Sequence, residues 1–454
     1  MVEGPSGGNG RGNGRAGGHV GEILAVGTRA PGSGRIALAE AAKPGEPILR
    51  WRSRAHSIEE IEQELTRIWS EPDLQTEVDG QPGRHVAART SVMNLVVIAR
   101  RPEVGERSAA TIQQLTGRHP SRTIIVSTAD PDGPSWLDAQ VQAHCVLPRE
   151  DAPEICAEMI YLTVGGESGR HLPAIVAPLL IHDLPVTIWW PGEPSFGTQQ
   201  ANDILASADR LVVDGSTWSE DGLARLCQLA ELLDTTSLAI RDFALVRQSR
   251  WREAIASIFD LPEFLPYLRS MRRIAVAYAT HDESGAPGST NIVKPIYHVA
   301  WLCSRLHLRV TKPLTPIPGK VAAGPAGRTH PTSSSTMWRG LSATLTDGRS
   351  DVAVVVRPVL SRIPSGTTLR VELLADRRGS ELRADVTAEQ ESVHVRVWVD
   401  GIEALDRHFV APRRTDVDLL AEAIESGGRD PVAVGSLRMA AALAATPTPT
   451  EKRA

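Results

Sequence analysis

Positive charge is not in excess in this sequence: 49 Lys and Arg against 54 Asp and Glu leave a formal net charge of −5. A general nucleic-acid binder is usually clearly basic, so that class is set aside. Apolar runs of the ~18 residues that a membrane span needs are missing. The opening MVEGPSGGNGRGNGRAGG lacks the apolar stretch of a secretory signal, and the expectation is a cytoplasmic protein without nucleic-acid or membrane partners. Cysteine is scarce. Cys145, Cys156, Cys227 and Cys303 form no CxxC pair, so neither a zinc site nor a dithiol motif is legible and no metal is expected. All four fall at core-like positions, which predicts structural thiols. Phosphate-loop and HExxH signatures are lacking as well. A GxGxxG match (Gly12 to Gly17) and a GxSxG match (Gly4 to Gly8) lie in the Gly-rich head, with no strand before them and no helix after, so neither has the context its chemistry needs. No cofactor and no catalytic residue are expected.

What is present is an alternation of apolar patterns. Residues 1–45 are Gly, Arg, Ala and Pro with little to bury and read as a disordered head. Ser57 and Glu60 make a capping box for a helix through Trp69, followed by a polar linker from Glu71 to Arg89. Val92 to Ala99 reads as a strand covered on both faces. A helix from Glu103 to Thr116 follows, ended by Gly117 in a left-handed cap, and then a strand from Arg122 to Ser127. Asp138 to Val146 alternates and reads as an edge strand. Ala152 to Val164 has helical spacing. Strands at Pro185–Trp190, Arg210–Asp214, Ser237–Ile240 and Arg272–Ala277 alternate with helices. The fold class expected is therefore α/β, a mostly parallel sheet with helices on both faces, over 46–285. A β-rich α+β part with an antiparallel meander follows over 286–445, with a linker-like loop at 312–336 and a loose tail at 446–454. Helices at Asp416–Glu425 and Val432–Ala445 are expected to cover the meander.

Three segments concentrate chemistry. The loop Gly117 to Ile125 holds Arg118, His119, Pro120, Ser121 and Arg122 between a helix and a strand. It suits contact with an acidic partner surface or an anion, or else a structural role with Arg118 at a helix C-terminus and Pro120 stiffening the turn. Ten of the nineteen aromatic residues are Trp, which makes the Trp-bearing segments distinctive. Trp189 and Trp190 end a strand, so their rings point to opposite faces. Trp251 and Arg252 are of the types enriched at interface hot spots. The interface reading predicts that Arg122→Glu and Trp251→Ala weaken partner binding with little change in melting temperature. Strand-end loops offer another site type, with Asp130, Ser195, Gly197, Asp214 and Ser216 as candidates for holding a sugar phosphate.

The loop GRHPSRTII and the segments HDLPVTIWWPGEPSF (182–196) and RDFALVRQSRWREAIASIFD (241–260) together resemble the glucose-6-phosphate dehydrogenase assembly protein family, OpcA. The resemblance runs from about Thr90 to Ala445. It implies a non-enzymatic protein that binds glucose-6-phosphate dehydrogenase, promotes its active oligomer and raises its activity. By the chemistry of its best-marked positions, it points to Arg118, His119, Pro120, Ser121, Arg122, Trp189, Trp190, Trp251 and Arg252 as contacts.

Overall fold

Apolar runs too continuous for a strand with one wet face build a first sheet. In a computed structural model, which describes residues 44–70, 75–78, 81–86, 88–149, 152, 154–318, 322–323 and 338–445, its strands are β1 (Pro47–Ala55), β2 (Met93–Ala99), β3 (Ser121–Ala129), β4 (Trp136–Val146), β5 (Ile155–Gly165), β6 (Val186–Trp190), β7 (Arg210–Val213) and β8 (Ala239–Asp242). Their order is β1-β4-β5-β3-β2-β6-β7-β8, with the two-residue strand Ala88–Arg89 added beside β5. All pairs from β5 to β8 along this path are parallel, and β4 is antiparallel to both β1 and β5. Every residue of β2 is buried, as a strand covered on both faces requires. The Gly-rich head before residue 44, most of the 312–336 loop and the tail after 445 lie outside the described residues.

The second sheet is β9 (Met271–Thr280), β10 (Arg309–Pro318), β11 (Trp338–Thr346), β12 (Asp351–Leu360), β13 (Thr368–Arg377), β14 (Ser380–Ala388), β15 (Ser392–Val399) and β16 (Ile402–Val410), in the order β10-β11-β12-β9-β13-β14-β15-β16. Only β9 against β12, and the short strand Ala322–Ala323 against β12, run parallel. The α/β class with a following antiparallel meander is thus as expected. Val393, Val395 and Val397 turn to the core while their neighbours on β15 stay half-buried.

The main helices are α1 (Ile58–Ser70), α2 (Pro102–Gln113), α3 (Gln199–Leu205), α4 (Leu223–Thr235), α5 (Ser249–Phe259), α6 (Val293–Arg305), α7 (Asp416–Glu425) and α8 (Pro431–Ala444). Ser57 Oγ accepts from the Glu60 N–H at 3.2 Å, and Glu60 Oε2 accepts from the His56 N–H at 2.7 Å, so the expected capping pair forms with its return bond one residue early.

Several local expectations fail. Asp138 to Val146, expected at an edge, lies in β4 between β1 and β5, and the loop expected from 312 begins inside β10. The run from Ala152 to Val164 is the strand β5, not a helix. Nearly every position from Ile155 to Val164 is apolar or β-branched, so a helical stripe and a two-sided strand are both present in it, and burial between β3 and β4 selects the strand. The strand read at Arg272–Ala277 is β9, in the centre of the second sheet rather than the first. Gly117 is not left-handed; it is small because a Cβ there would come 3.2 Å from Val146 Cγ1. Cys145 and Cys156, register partners across β4 and β5, are joined in a disulfide, so they are not free thiols. Cys227 and Cys303 remain free, and burial pushes the Cys303 thiol up to about 12.

A further departure positions the site. Helix α7 does not cover the meander. Leu419, Leu420, Ala421 and Ala423 pack with Met93, Leu95 and Val97 of β2, Ile112 of α2 and Trp189 of β6, closing one face of the first sheet. Helices α5 and α6 pack against the second sheet, and α8 lies on α4, α6 and β10. The C-terminal segment therefore returns to the first sheet. Leu420→Ala should cost about 2–5 kcal/mol of stability in denaturant titrations and raise amide exchange in α2 as well as α7. Unchanged protection of α2 would show that α7 does not close that face.

Candidate functional site

The loop after α2 is set by a turn in which the Arg118 and His119 N–H groups both donate to the Leu115 carbonyl, at 2.9 and 2.7 Å. It points a guanidinium and an imidazole at one carboxylate: Glu425, near the end of α7, lies 2.5 Å from Arg118 Nη2 and 2.9 Å from His119 Nε2. Two further arginines reach the same helix end from β7 and β8. Arg210 donates to the carbonyls of Ile424 and Ser426 at 2.9 and 2.8 Å. Arg241 donates to Ser426 Oγ at 2.7 Å and to the carbonyls of Gly427 and Gly428 at 3.2 and 3.0 Å. Cations at a helix C-terminus meet its orphan carbonyls and the negative end of its dipole. Burial pushes both guanidinium pKa values down from their ordinary value, yet an arginine stays charged. At the other end of α7, Arg247 donates to Asp416 at 3.1 Å. Arg118 was expected to gain from the dipole of the helix before it; the geometry pairs it instead with Glu425 on α7.

Of the other marked positions, Pro120, Ser121, Arg122, Trp189 and Trp190 are buried, and His119, Trp251 and Arg252 are half-buried. Arg122 is 7% exposed; its Nε donates to Glu158 at 2.6 Å and its Nη1 to the Leu179 carbonyl at 3.0 Å. Pro120 and Ser121 are buried, Ser121 bonding Thr123. Trp189 and Trp190 do point to opposite faces, but both rings are core: Trp189 lies 6.0 Å from Phe243, under α7, and Trp190 lies 6.2 Å from Phe196. Trp251 is half-buried on the ring of the fully buried His298, 5.0 Å away, and Arg252 donates to the Leu245 carbonyl at 2.6 Å. Of these nine side chains Arg118 is the exposed one, at 60%, so the expectation that Arg122→Glu and Trp251→Ala leave stability untouched is corrected.

The strand-end candidates are not brought together as one site. Asp130 follows β3, and β2 stands between it and the β6 loop that holds Ser195 and Gly197. Asp214, 6% exposed, accepts both bonds from Arg247 Nη1, at 2.7 and 2.8 Å, and one from Ser216 Oγ at 2.6 Å, so its polar groups are used inside the chain. None of the five lines either of two cavities, one of about 120 Å³ beside α2 and one of about 330 Å³ between Arg210, Met93 and Gly428. The turn after β2, where the strand order reverses, reads Arg100-Arg101-Pro102. A dinucleotide fingerprint would place glycines there.

Sequence reasoning missed the buried pair behind Asp214. Asp242, at the end of β8, accepts from the N–H of Gly215 and Ala244 at 2.9 and 2.8 Å and from Tyr297 Oη at 2.9 Å. Burial, and next the Asp214 charge, push its carboxyl up to about 7 despite those three donors. Burial, followed by Arg247, lowers Lys294 nearby, and burial lowers His298 to about 3, which keeps that ring neutral. Only the N-cap character of Asp242 was visible in sequence, as an Asp before an apolar run.

Two outcomes follow. Arg122→Glu leaves two carboxylates in a buried space and should cost roughly 3–5 kcal/mol, read as a large fall in melting temperature; an unchanged Tm would contradict the buried ion pair. Asp242 keeps its proton in the folded state above the unfolded value of about 3.9. Its contribution is therefore full below about pH 4 and lost as pH rises to about 7. The stability difference between wild type and Asp242→Asn should fall by roughly 4 kcal/mol across that interval in denaturant titrations, whereas a flat difference would rule out the raised carboxyl.

Residues 112–231 match the profile of the family described as "Glucose-6-phosphate dehydrogenase subunit N-terminal domain". A Synechocystis protein named as the OxPP cycle protein OpcA is 27% identical over 194 residues, 42% of this chain and 38% of that protein, so the chain matches well under half of its relative's length. Both findings support the OpcA family. The profile match takes in Arg118 to Arg122 and Trp189–Trp190 and stops before Trp251. Among solved structures, a 3-ketoreductase from Actinomadura kijaniata is 11% identical with a TM-score of 0.39, covering 77% of this chain and 95% of that one. A biliverdin reductase from Synechocystis is 10% identical with a TM-score of 0.40, covering 78% and 98%. Likenesses this slight bear on neither reaction nor cofactor. No helix among the described residues is long and apolar enough to cross a membrane.

Proposed function

We propose that this chain is a member of the OpcA family, which its match over residues 112–231 supports, and that it is a cytoplasmic assembly factor and allosteric activator of glucose-6-phosphate dehydrogenase in the oxidative pentose phosphate pathway. The family match is the observation that carries this. The geometry is compatible with it: the polar groups of Asp214, Ser216 and Asp242 are spent on bonds within the chain.

Activation of this kind is differential binding. A protein that prefers the dehydrogenase's active oligomer raises the population of that oligomer. Moving a state from 1% to 99% takes a preference of about 5.5 kcal/mol, which a standard-size interface can supply. The proposed contact is the outer rim of the clasp on α7, where Arg118 and Glu425 face solvent, with the half-buried Trp251 and Arg252 as further candidates. Arg122, Trp189 and Trp190 act from behind it by fixing β3 and β6.

Adding the purified chain to the dehydrogenase should shift its mass in sedimentation velocity to a larger oligomer and raise kcat or lower the KM for glucose 6-phosphate. Arg118→Ala should weaken that effect while leaving the chain's stability in denaturant titrations within about 1 kcal/mol of wild type, since an exposed ion pair contributes little. Unchanged kinetics and mass at saturating chain would end the proposal.

A further inference from the structure

His394 on β15 and His408 on β16 are direct register partners. Their rings stack, with centroids 4.1 Å apart and planes 10° apart. They lie on the face of the hairpin opposite Val393, Val395 and Val397, which fill the core. Glu389, in the turn between β14 and β15, reaches both rings. Its Oε1 lies 3.6 Å from His394 Nδ1 and its Oε2 lies 3.2 Å from His408 Nδ1. That turn is fixed: the Glu389 N–H donates to the Ser392 carbonyl at 3.0 Å, and Ser392 Oγ donates to Glu389 Oε2 at 2.6 Å.

A fourth residue stands behind the first ring. Asp406 Oδ1 is 2.9 Å from His394 Nε2. A carboxylate there holds the proton on Nε2, which leaves the Nδ1 lone pair pointing at the space shared with Glu389 and His408. This is the arrangement by which a carboxylate orients and strengthens a metal-binding imidazole. One ligand atom from each of Glu389, His394 and His408 lies within 4.8 Å of the others. A divalent cation takes both rings as neutral donors and neutralises the carboxylate.

We propose that Glu389, His394 and His408 form a binding site for a first-row transition-metal dication, with zinc the best fit, and that Asp406 positions His394 within it. Two nitrogens and one oxygen are a borderline donor set, which suits Zn2+ or Ni2+ better than Ca2+ or Mg2+ with their all-oxygen shells. Three protein ligands leave one tetrahedral position for water. The ion would join the β14–β15 turn to both strands of the outermost hairpin. No local motif announces it, since the ligands are separated by five and fourteen residues and only the register of β15 with β16 unites them.

The test is calorimetric titration of ZnCl2 into the full chain after chelator treatment and dialysis, with Co2+ absorption as a second probe. Wild type should bind one ion at this site and give the intense visible bands of four-coordinate Co2+. His394→Ala and His408→Ala should each weaken Zn2+ binding more than about tenfold, and Asp406→Asn about tenfold. Glu389→Gln, a change confined to a surface turn, gives the same loss if either histidine variant fails to fold. The metal-free melting temperature of Asp406→Asn should stay close to wild type. Absence of Zn2+ binding to wild type overturns the proposal, and so does an unchanged isotherm in folded Glu389→Gln or His408→Ala.

Discussion

The constraint on which the rest depends is the return of α7 to the first sheet. A ten-residue helix has polar ends that need partners and one apolar face that needs cover. Here both needs are met by the other end of the chain. Leu419 and Leu420 fill the space over β2 and β6, and Arg118, His119, Arg210 and Arg241 bind the C-terminal end. Three arginines around one helix end would repel one another without Glu425 and the exposed carbonyls between them. The first sheet is thus complete only when residues some three hundred positions downstream are in place.

That geometry changes the meaning of the most distinctive sequence. A loop of Arg, His, Pro, Ser and Arg looks made for an outside anion, and its anion is supplied by the chain itself. The same logic holds for Asp214, whose carboxylate looks available at a strand end and is instead satisfied by Arg247, which also reaches Asp416. Strong internal pairing of this kind fixes the surface it leaves behind. A rigid rim is a better platform for a partner than a loop that must be ordered on contact, because less conformational entropy is lost on binding.

The sheets were legible in the sequence where periodicity was unambiguous. Val393, Val395 and Val397 alternate with less buried neighbours, and β2 is apolar at every position but Asn94. The run from Ile155 to Val164 was not, since a stretch apolar at nearly every position satisfies both periods and only its neighbours decide. The site was legible in its residues but not in its partners. Arg118 and Arg122 are four apart in sequence, yet one faces solvent against Glu425 and the other is buried against Glu158. Contacts between residues so distant along the chain leave no local trace. Nor does spacing announce a disulfide between Cys145 and Cys156, which depends on the antiparallel register of β4 with β5.

The central claim is that this chain acts by holding a glucose-6-phosphate dehydrogenase through the rim around α7. Hydrogen exchange of the chain with and without the dehydrogenase tests it most directly. The account predicts added protection in the segment around Arg118 and in the exposed side of α7, with the amides of β6 at Trp189 and Trp190 unchanged because they are already core. Protection confined to the second sheet, or no change at saturating dehydrogenase, would contradict it.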